Sequence, residues 1–297
     1  MDVYRTSDER FENLPDYPWA PKYTEVNGLR LNRIDEGEGP LVLCFHGEPS
    51  WSFLYRKMAK RLIADGHRVV CPDLVGFGRS DKPKDMDFYT YASHSESLAA
   101  HLAALDGIED ATVVVQDWGG LLGLKWAADH MDQVGRVFIM NTSLATAGGS
   151  EAFAAWRNFV EKTPDLPIGF ILQGATKTEL SDEVVAAYES PWPTAESKAG
   201  PAKFPLLVPF EASDPGAAEM AAAMEVLSAM DKPCTVAFSD SDPMFPFPQA
   251  AEWFTNRIPT AGEPVMIENA SHFLQEDNPD GVVDAMYAGF GNPIGSA

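Results

Sequence analysis

Cysteine, basic side chains and long apolar runs are scarce in this chain of 297 residues. The three cysteines, Cys44, Cys71 and Cys234, lie far apart beside apolar runs. That placement predicts buried free thiols in a reduced, cytoplasmic protein and argues against a disulfide framework or a metal site. The segment MDVYRTSDERFENLPDYPWA is too polar for a signal peptide, and no apolar run is long enough to span a bilayer. We therefore expect no membrane association.

Positive charge is also limited, since 22 lysine and arginine residues stand against 44 aspartate and glutamate residues. The net charge of -22 repels phosphate backbones and anionic lipid surfaces, which excludes nucleic acid as a favoured partner. Hydrophobic residues make up 45% of the chain and aromatic residues 11%, a composition typical of globular proteins with a sizeable core.

Apolar runs and amphipathic stretches alternate through the first half of the chain. The runs GPLVLCFHG, HRVVCPD, ATVVVQD and VGRVFIMNTS predict buried strands, and helical patterns separate them. Strands that are apolar on both faces indicate a sheet covered by helices, so we predict an α/β protein with a mostly parallel central sheet. Sites in such folds lie beyond the carboxyl ends of the strands.

The alternation stops after residue 144 and returns later in PCTVAFSDSD and EPVMIENASH. Between these regions the chain has short amphipathic pieces among proline-containing stretches, which predicts a helical insertion. We therefore predict a main domain of residues 1–144 and 216–297 and a helical cap of residues 145–215.

The segment TVVVQDWGGLLGLKWA places Asp117 where a strand turns into a helix, a corner that usually carries a serine or cysteine nucleophile. Asp242 follows the strand pattern TVAFSDSD, and His272 follows VMIENAS. The order nucleophile, acid, histidine is that of the α/β-hydrolase fold, which we predict here with the cap inserted. Asp240 competes with Asp242 for the role of acid. It ranks lower because Asp242 lies beyond the strand pattern and precedes Pro243.

An aspartate nucleophile predicts a particular chemistry. Its carboxylate displaces a leaving group from carbon and becomes an ester, and water then releases an alcohol. His272 would activate that water, and Asp242 would orient and charge-stabilise His272. This reaction requires no cofactor and no metal.

Hydrogen-bond donors are predicted on both sides of Asp117. The loop FHGEPSW lends a backbone N–H to an oxyanion hole, so we expect the N–H groups of Glu48 and Trp118 there. The indole N–H of Trp118 suits an anion released in a dry pocket. A second indole would come from Trp156, on the first helix of the insertion, although a core tryptophan is the alternative. Trp192, between two prolines, is interpreted as a packing residue.

The motifs HGEPSWSFLYRKM, VVVQDWGGLLGLKWA and SHFLQE, with the leader RTSDERFENLPDYPWAPKY, closely resemble the haloalkane dehalogenases. The resemblance is to the subfamily with an Asp-His-Asp triad and two halide-binding tryptophans. It implies hydrolysis of a small hydrophobic halogenated substrate to an alcohol, a halide ion and a proton. By motif, it implies Asp117 as nucleophile, His272 as base, Asp242 as acid, Trp118 and Trp156 as halide donors, and Glu48 as the oxyanion-loop residue. Asn141 stands where other subfamilies place the acid, which supports Asp242.

Three alternatives remain open. Epoxide hydrolases use a pair of cap tyrosines, and only Tyr188 lies between residues 145 and 230. Fluoroacetate dehalogenases carry arginines around the nucleophile, whereas WGGLL follows Asp117 and predicts an apolar pocket for uncharged haloalkanes. A non-catalytic ligand-binding protein of the same fold is the third alternative, and the complete set of site residues argues against it. Candidate cavity walls, or cap core, are Phe153, Phe159, Phe170 and Leu172. We expect a monomer.

Overall fold

The computed structural model of the protein describes residues 1–144 and 149–294. The strands in these residues are β1 Val3–Tyr4, β2 Lys22–Val26, β3 Leu29–Glu36, β4 Leu41–Phe45, β5 Arg68–Pro72, β6 Lys82–Pro83, β7 Ala111–Gln116, β8 Val134–Met140, β9 Cys234–Ser239 and β10 Val265–Ile267. The α-helices are α1 Arg56–Ala64, α2 Tyr91–Ala103, α3 Trp118–Asp129, α4 Glu151–Lys162, α5 Ile168–Gly174, α6 Asp182–Glu189, α7 Ala199–Leu207, α8 Ala217–Ala229, α9 Gln249–Thr255, α10 Leu274–Asp277 and α11 Pro279–Phe290.

Eight strands form one sheet in the order β10-β9-β8-β7-β4-β5-β3-β2. The six strands from β10 to β5 pair in parallel, and β3 and β2 add to the edge in antiparallel fashion. Every residue of the central strands β4 and β7 is buried, because helices pack on the sheet and leave no face of these strands to water. The predicted mostly parallel sheet with flanking helices is confirmed.

The antiparallel edge comes from a tight hairpin that the strand patterns considered above do not include. Asn27 and Gly28 connect β2 to β3 and have φ angles of 50° and 79°. A two-residue hairpin turn with two positive φ angles favours asparagine followed by glycine, because these residues adopt the left-handed region most readily. The β2–β3 hairpin therefore completes the antiparallel edge of the sheet.

Helices α4, α5, α6 and α7 lie between β8 and β9 along the chain, where α4 packs on α7 and α5 packs on α6. Helix α8 follows them and packs on α3, next to the sheet. The division into a main domain and a cap at residues 145–215 stays a prediction. Residues 145–148 and 295–297 of its ranges lie outside the described residues.

The three cysteines are free and buried, as the sequence predicts. Burial raises the pKa of each thiol, so the thiols carry no charge at neutral pH. Among the described helices, none is both long and apolar enough to cross a membrane.

Candidate active site

Asp117 lies between β7 and α3 with φ 51° and ψ -129°, a backbone conformation that non-glycine residues rarely adopt. Two hydrogen bonds from the end of β8 hold it there. The Asp117 N–H donates to the carbonyl oxygen of Asn141 at 3.0 Å, and the hydroxyl of Thr142 donates to the Asp117 carbonyl at 2.6 Å. The elbow therefore fixes the carboxylate at the carboxyl end of the sheet.

Two glycines make room for this elbow. A Cβ atom at Gly47 would lie 2.2 Å from Oδ1 of Asp117, and one at Gly119 would lie 2.0 Å from the carbonyl oxygen of Phe45. Both distances are far below van der Waals contact, so larger residues would displace the carboxylate or the helix. The His-Gly and Trp-Gly-Gly motifs are thus explained by close approach of backbone to backbone and to Asp117.

The structure brings together the three residues predicted to form the triad. Nδ1 of His272 lies 2.8 Å from Oδ2 of Asp242, and Nε2 of His272 lies 3.5 Å from Oδ2 of Asp117. The other carboxylate oxygen of Asp242 accepts the backbone N–H of Met244 at 2.8 Å. One ring nitrogen of His272 therefore contacts the predicted acid, and the other lies next to the predicted nucleophile.

Asp240, the competitor for the acid, has other partners. Its carboxylate accepts the backbone N–H groups of Asn269 and Ala270 at 3.0 and 3.2 Å and pairs with the ammonium of Lys177 at 2.9 Å. Burial opposes ionisation, yet Lys177 and these N–H groups lower the pKa of Asp240 to about 2. Asp240 binds the loop before His272 and makes no hydrogen bond to the imidazole among the described contacts.

The oxyanion-loop residue also contacts the predicted nucleophile. The backbone N–H of Glu48 donates to Oδ1 of Asp117 at 2.7 Å. The Glu48 side chain is buried, and its Oε1 atom has no hydrogen-bond partner among the described residues. Burial, and then the charge of Asp117, raise the pKa of Glu48 well above the ordinary carboxyl range. The Glu48 carboxyl is therefore harder to ionise than an ordinary carboxyl, and the contact with Asp117 comes from the Glu48 backbone N–H.

Two cavities of about 380 and 460 Å³ meet at Asp117. The first also contains His272, Glu48 and Trp156 in its lining, and the second contains Trp118. No lysine or arginine occurs among the described residues that line either cavity. Of the candidate walls, Phe153, Phe159 and Phe170 line the first cavity, whereas Leu172 is fully buried in the core. The two predicted halide donors thus line different cavities, and Asp117 lines both.

Comparison with known proteins assigns the chain to a family. A family model described as alpha/beta hydrolase fold matches residues 40–279. The haloalkane dehalogenase of Mycobacterium marinum is 42% identical over 288 residues, covering 94% of this chain and 96% of that protein. That of Psychrobacter cryohalolentis is 42% identical over 289 residues, covering 93% and 94%. The chain belongs to the haloalkane dehalogenase family.

A solved structure agrees with this family assignment. The haloalkane dehalogenase from Paraglaciecola agarilytica NO2, described as tetrameric, superposes with a TM-score of 0.92 at 34% identity. The alignment covers 97% of this chain and 99% of that one, so the two proteins share the fold over nearly all of the aligned length. The predicted α/β-hydrolase fold is confirmed.

Trp192 and Tyr188 of the insertion make their hydrogen bonds outside the two cavities. The indole N–H of Trp192 donates to the carbonyl oxygen of Gly76 at 3.0 Å, and Trp192 is buried. The hydroxyl of Tyr188 donates to the carboxylate of Glu276 at 2.7 Å, and Tyr188 is also buried. Neither side chain is available to a molecule bound at Asp117.

The electrostatics of His272 depend on its two carboxylate neighbours. Burial alone lowers the pKa of the imidazole, whereas Asp242 and Asp117, through charge and hydrogen bonding, raise it to about 10. The cation between two carboxylates is favoured over the neutral ring as long as both carboxylates are ionised. Any reaction that neutralises Asp117 therefore lowers the pKa of His272.

Sequence reasoning missed the buried Gln116, and it considered the buried Asn141 only as the residue at an alternative position of the acid. The amide nitrogen of Gln116 donates to the His272 carbonyl at 3.2 Å and lies 3.1 Å from His272 Nε2. The amide nitrogen of Asn141 donates to Ser239 Oγ and Ser271 O at 2.8 and 3.0 Å, and its oxygen accepts the Ser239 N–H at 2.9 Å. The available signal was position, because each polar amide ends or directly follows a buried parallel strand.

Proposed function

We propose that the protein hydrolyses uncharged haloalkanes to an alcohol, a halide ion and a proton through an alkyl ester on Asp117. The observation that carries this proposal is the Asp117 carboxylate at the junction of two largely apolar cavities, with Nε2 of His272 3.5 Å away. A carboxylate in such surroundings is a nucleophile for carbon, and a histidine at that distance is a base for the second step.

The first step is displacement of the halide. The Glu48 N–H binds Oδ1 of Asp117, so Oδ2 is the oxygen with greater freedom to attack. One C–O bond forms as the carbon–halogen bond breaks, and the halogen leaves with the bonding electron pair. The apolar lining weakens solvation of the carboxylate and favours this charge transfer.

The second step is hydrolysis of the ester. His272 Nε2 takes a proton from water as the water oxygen bonds to Cγ of Asp117, and the Cγ–Oδ2 bond then breaks. The alcohol leaves with Oδ2 and the C–O bond made in the first step, taking a proton from the imidazolium, and the second proton of the water is released when the carboxylate forms again. That alcohol oxygen is the one Asp117 donated, and the carboxylate regains an oxygen from water. The backbone N–H groups of Glu48 and Trp118 stabilise the oxyanion, and Asp242 stabilises the imidazolium.

The halide is bound by indole N–H groups in this proposal. Trp118 begins α3, is almost fully buried, and stacks on Phe204 with ring centroids 4.3 Å apart and planes 14° apart. That stacking restrains the ring next to Asp117. Trp156 on α4 lines the cavity that contains His272 and supplies the second donor. An N–H that has no acceptor of its own suits a released anion.

The alternatives are less well supported. Epoxide hydrolases usually protonate the alkoxide with a pair of cap tyrosines, and the Tyr188 hydroxyl is bound to Glu276 away from both cavities. A haloacid substrate needs a cation for its carboxylate, and the described lining contains no lysine or arginine. A non-catalytic binding protein would have no use for the Asp242–His272 pair beside Asp117. Uncharged haloalkanes remain the best match.

The protein acts in this proposal as a cytoplasmic monomer with a helical cap over Asp117. Reduced buried cysteines support the compartment, and helices α4 to α7, which contribute Trp156 and Phe170 to the cavity, support the cap. A structurally similar relative is described as tetrameric, so a tetramer is the alternative to the proposed monomer. Light scattering coupled to size-exclusion chromatography distinguishes a monomer from a tetramer.

The activity is tested by incubating the protein with 1,2-dibromoethane or 1-bromobutane in weak buffer and measuring bromide and acid release. Styrene oxide is assayed in parallel, and Asp117→Asn is the matched control for both. We expect equal amounts of bromide and acid from the unaltered protein and none from the variant. Diol from styrene oxide without bromide from either haloalkane would reject the proposal in favour of an epoxide hydrolase.

A further inference from the structure

Helix α10 begins two residues after His272 and ends at Asp277. The half-buried carboxylate of Asp277 reaches back to the loop that carries His272, since its Oδ2 accepts the backbone N–H of Ser271 at 2.9 Å. Ser271 is the direct neighbour of His272 in the chain. Asp277 therefore holds the backbone on one side of the predicted base.

The same carboxylate binds the segment between α5 and α6. Oδ2 of Asp277 accepts the backbone N–H of Lys177 at 3.0 Å, and Oδ1 accepts that of Thr178 at 2.8 Å. A further backbone hydrogen bond joins the two regions, from the Phe273 N–H to the Ala175 carbonyl at 3.3 Å. Three N–H donors from two distant segments thus converge on a single carboxylate, a charge-assisted arrangement stronger than bonds between neutral groups.

The segment bound by Asp277 continues from a wall of the first cavity. Ile171 and Gly174 of α5, and Ala175 after it, line that cavity together with His272 and Phe273. The neighbouring residue Glu276 makes a second connection to the same helical region, since it accepts the Tyr188 hydroxyl of α6. Displacing this wall would therefore pull on the loop of His272 through α10.

We propose that Asp277 is a positioning residue that joins the α5–α6 segment to the loop of His272, so that the cavity wall and the base keep a fixed separation. The inference rests on the proposed function, because the separation matters only if His272 activates water near Asp117.

The variant Asp277→Ala removes all three acceptor contacts. Rapid-quench experiments with 1-bromobutane would follow the bromide burst and the lifetime of the alkyl-enzyme. We expect the rate constant of ester hydrolysis to fall about tenfold, since a charge-assisted hydrogen bond no longer fixes the loop of His272. The burst rate and kcat/KM should stay within about twofold, because kcat/KM includes only steps up to carbon–bromine cleavage.

Two further variants sharpen the test. Lys177→Ala removes the ion pair to Asp240 and leaves the backbone contacts of Asp277, so its ester hydrolysis should stay close to that of the unaltered protein. Asp280→Ala changes an exposed aspartate that pairs with Arg61 at 3.1 Å, on the side of α11. It should leave both steps unchanged.

Hydrogen exchange measures the connection itself. In Asp277→Ala the amides of Ser271, Lys177 and Thr178 should exchange faster together, whereas Asp280→Ala should change none of them. An unchanged hydrolysis rate constant with a smaller burst amplitude would mean only less folded enzyme, and would overturn the proposal. Absence of any bromide release from the unaltered protein would reject the proposed function instead, and exchange would still decide whether Asp277 joins the two segments.

Discussion

Nε2 of His272 lies 3.5 Å from Oδ2 of Asp117, a distance that suits a base acting on water bound beside the carboxylate rather than on the carboxylate itself. The two residues have separable duties in the proposed mechanism. Asp117 alone forms the ester, and His272 is needed only to hydrolyse it. Variants that lack the Asp117 carboxylate should therefore form no ester, whereas variants of His272 should form the ester and fail to hydrolyse it.

We expect His272→Phe to release one equivalent of bromide from 1-bromobutane and then stop, with a lasting mass increase equal to the alkyl group. The reason is that alkylation needs the carboxylate and no base, whereas hydrolysis needs a proton acceptor. The new ring would lie next to Phe245 and Phe273, which already pack on His272. Intact-protein mass spectrometry measures the adduct. Continued turnover by this variant, or an adduct on Asp117→Asn, would contradict the assignment.

The pH dependence of the two states of the enzyme should also differ. In the resting enzyme Asp242 and Asp117 overcome the effect of burial and hold the pKa of His272 at about 10. Ester formation removes the charge of Asp117, so the pKa of His272 should fall by about 1–3 units in the alkyl-enzyme. Hydrolysis then needs the neutral ring, and its rate should decline on the acid side of that lower pKa.

Single-turnover hydrolysis across pH measures the pKa of His272 in the alkyl-enzyme. An NMR titration of the imidazole measures its pKa in the resting enzyme. Equal pKa values would contradict the proposed neutralisation of Asp117.

The raised pKa of His272 in the resting enzyme also affects folding. Its stabilising contribution is complete below the unfolded pKa, near 6.5, and is lost as pH rises through about 10, so the resting protein should lose stability in that range.

The two aspartates after β9 should behave differently when changed to asparagine. Asp242→Asn removes the charge beside Nδ1 of His272, and we expect turnover to fall by about 10³-fold or more, as for triads in which the acid orients histidine. Asp240→Asn weakens the contacts of Asn269 and Lys177 and should cost less than about tenfold. Steady-state bromide release measures both. The reverse ranking would make Asp240 the acid.

Much of the fold and site could be predicted from local sequence. The largely apolar runs of β4, β5 and β7 are buried on both faces, which is the property that a parallel sheet between helices imposes. Asp117 was recognisable because its elbow requires glycines at fixed offsets. The chain order of Asp242 and His272 follows from the positions of strand ends, which local patterns reveal.

Other features depend on pairs that are distant in the chain. Tyr188 and Glu276 are 88 residues apart, and nothing in either neighbourhood signals that they bond. Gln116 ends a buried strand, but only the packed structure shows that its amide meets His272. Local signals were available for the β2–β3 hairpin, in Asn27 and Gly28, yet its place at the sheet edge depends on pairing with β5. These contacts form only when the chain is folded, so they are visible only in the three-dimensional structure.

The second halide donor can be tested by comparing Trp156 and Trp192, two tryptophans of the insertion. Trp156 lines the first cavity, whereas the Trp192 indole is bound to the Gly76 carbonyl and buried. Replacing Trp156 by phenylalanine keeps an aromatic ring and removes one N–H donor to the halide. We expect bromide to bind about tenfold more weakly, as the loss of a hydrogen bond to a charged group implies.

The inhibition constant of bromide measures this effect, and bromide quenching of tryptophan fluorescence provides a second readout. Trp192→Phe is the matched control. It should lower the free energy of unfolding by about 1–3 kcal/mol, since it leaves the buried Gly76 carbonyl without its donor, and should leave bromide affinity unchanged. If Trp192→Phe weakened bromide binding and Trp156→Phe did not, the donor would be Trp192. The contact with Gly76 would then have to break when halide binds.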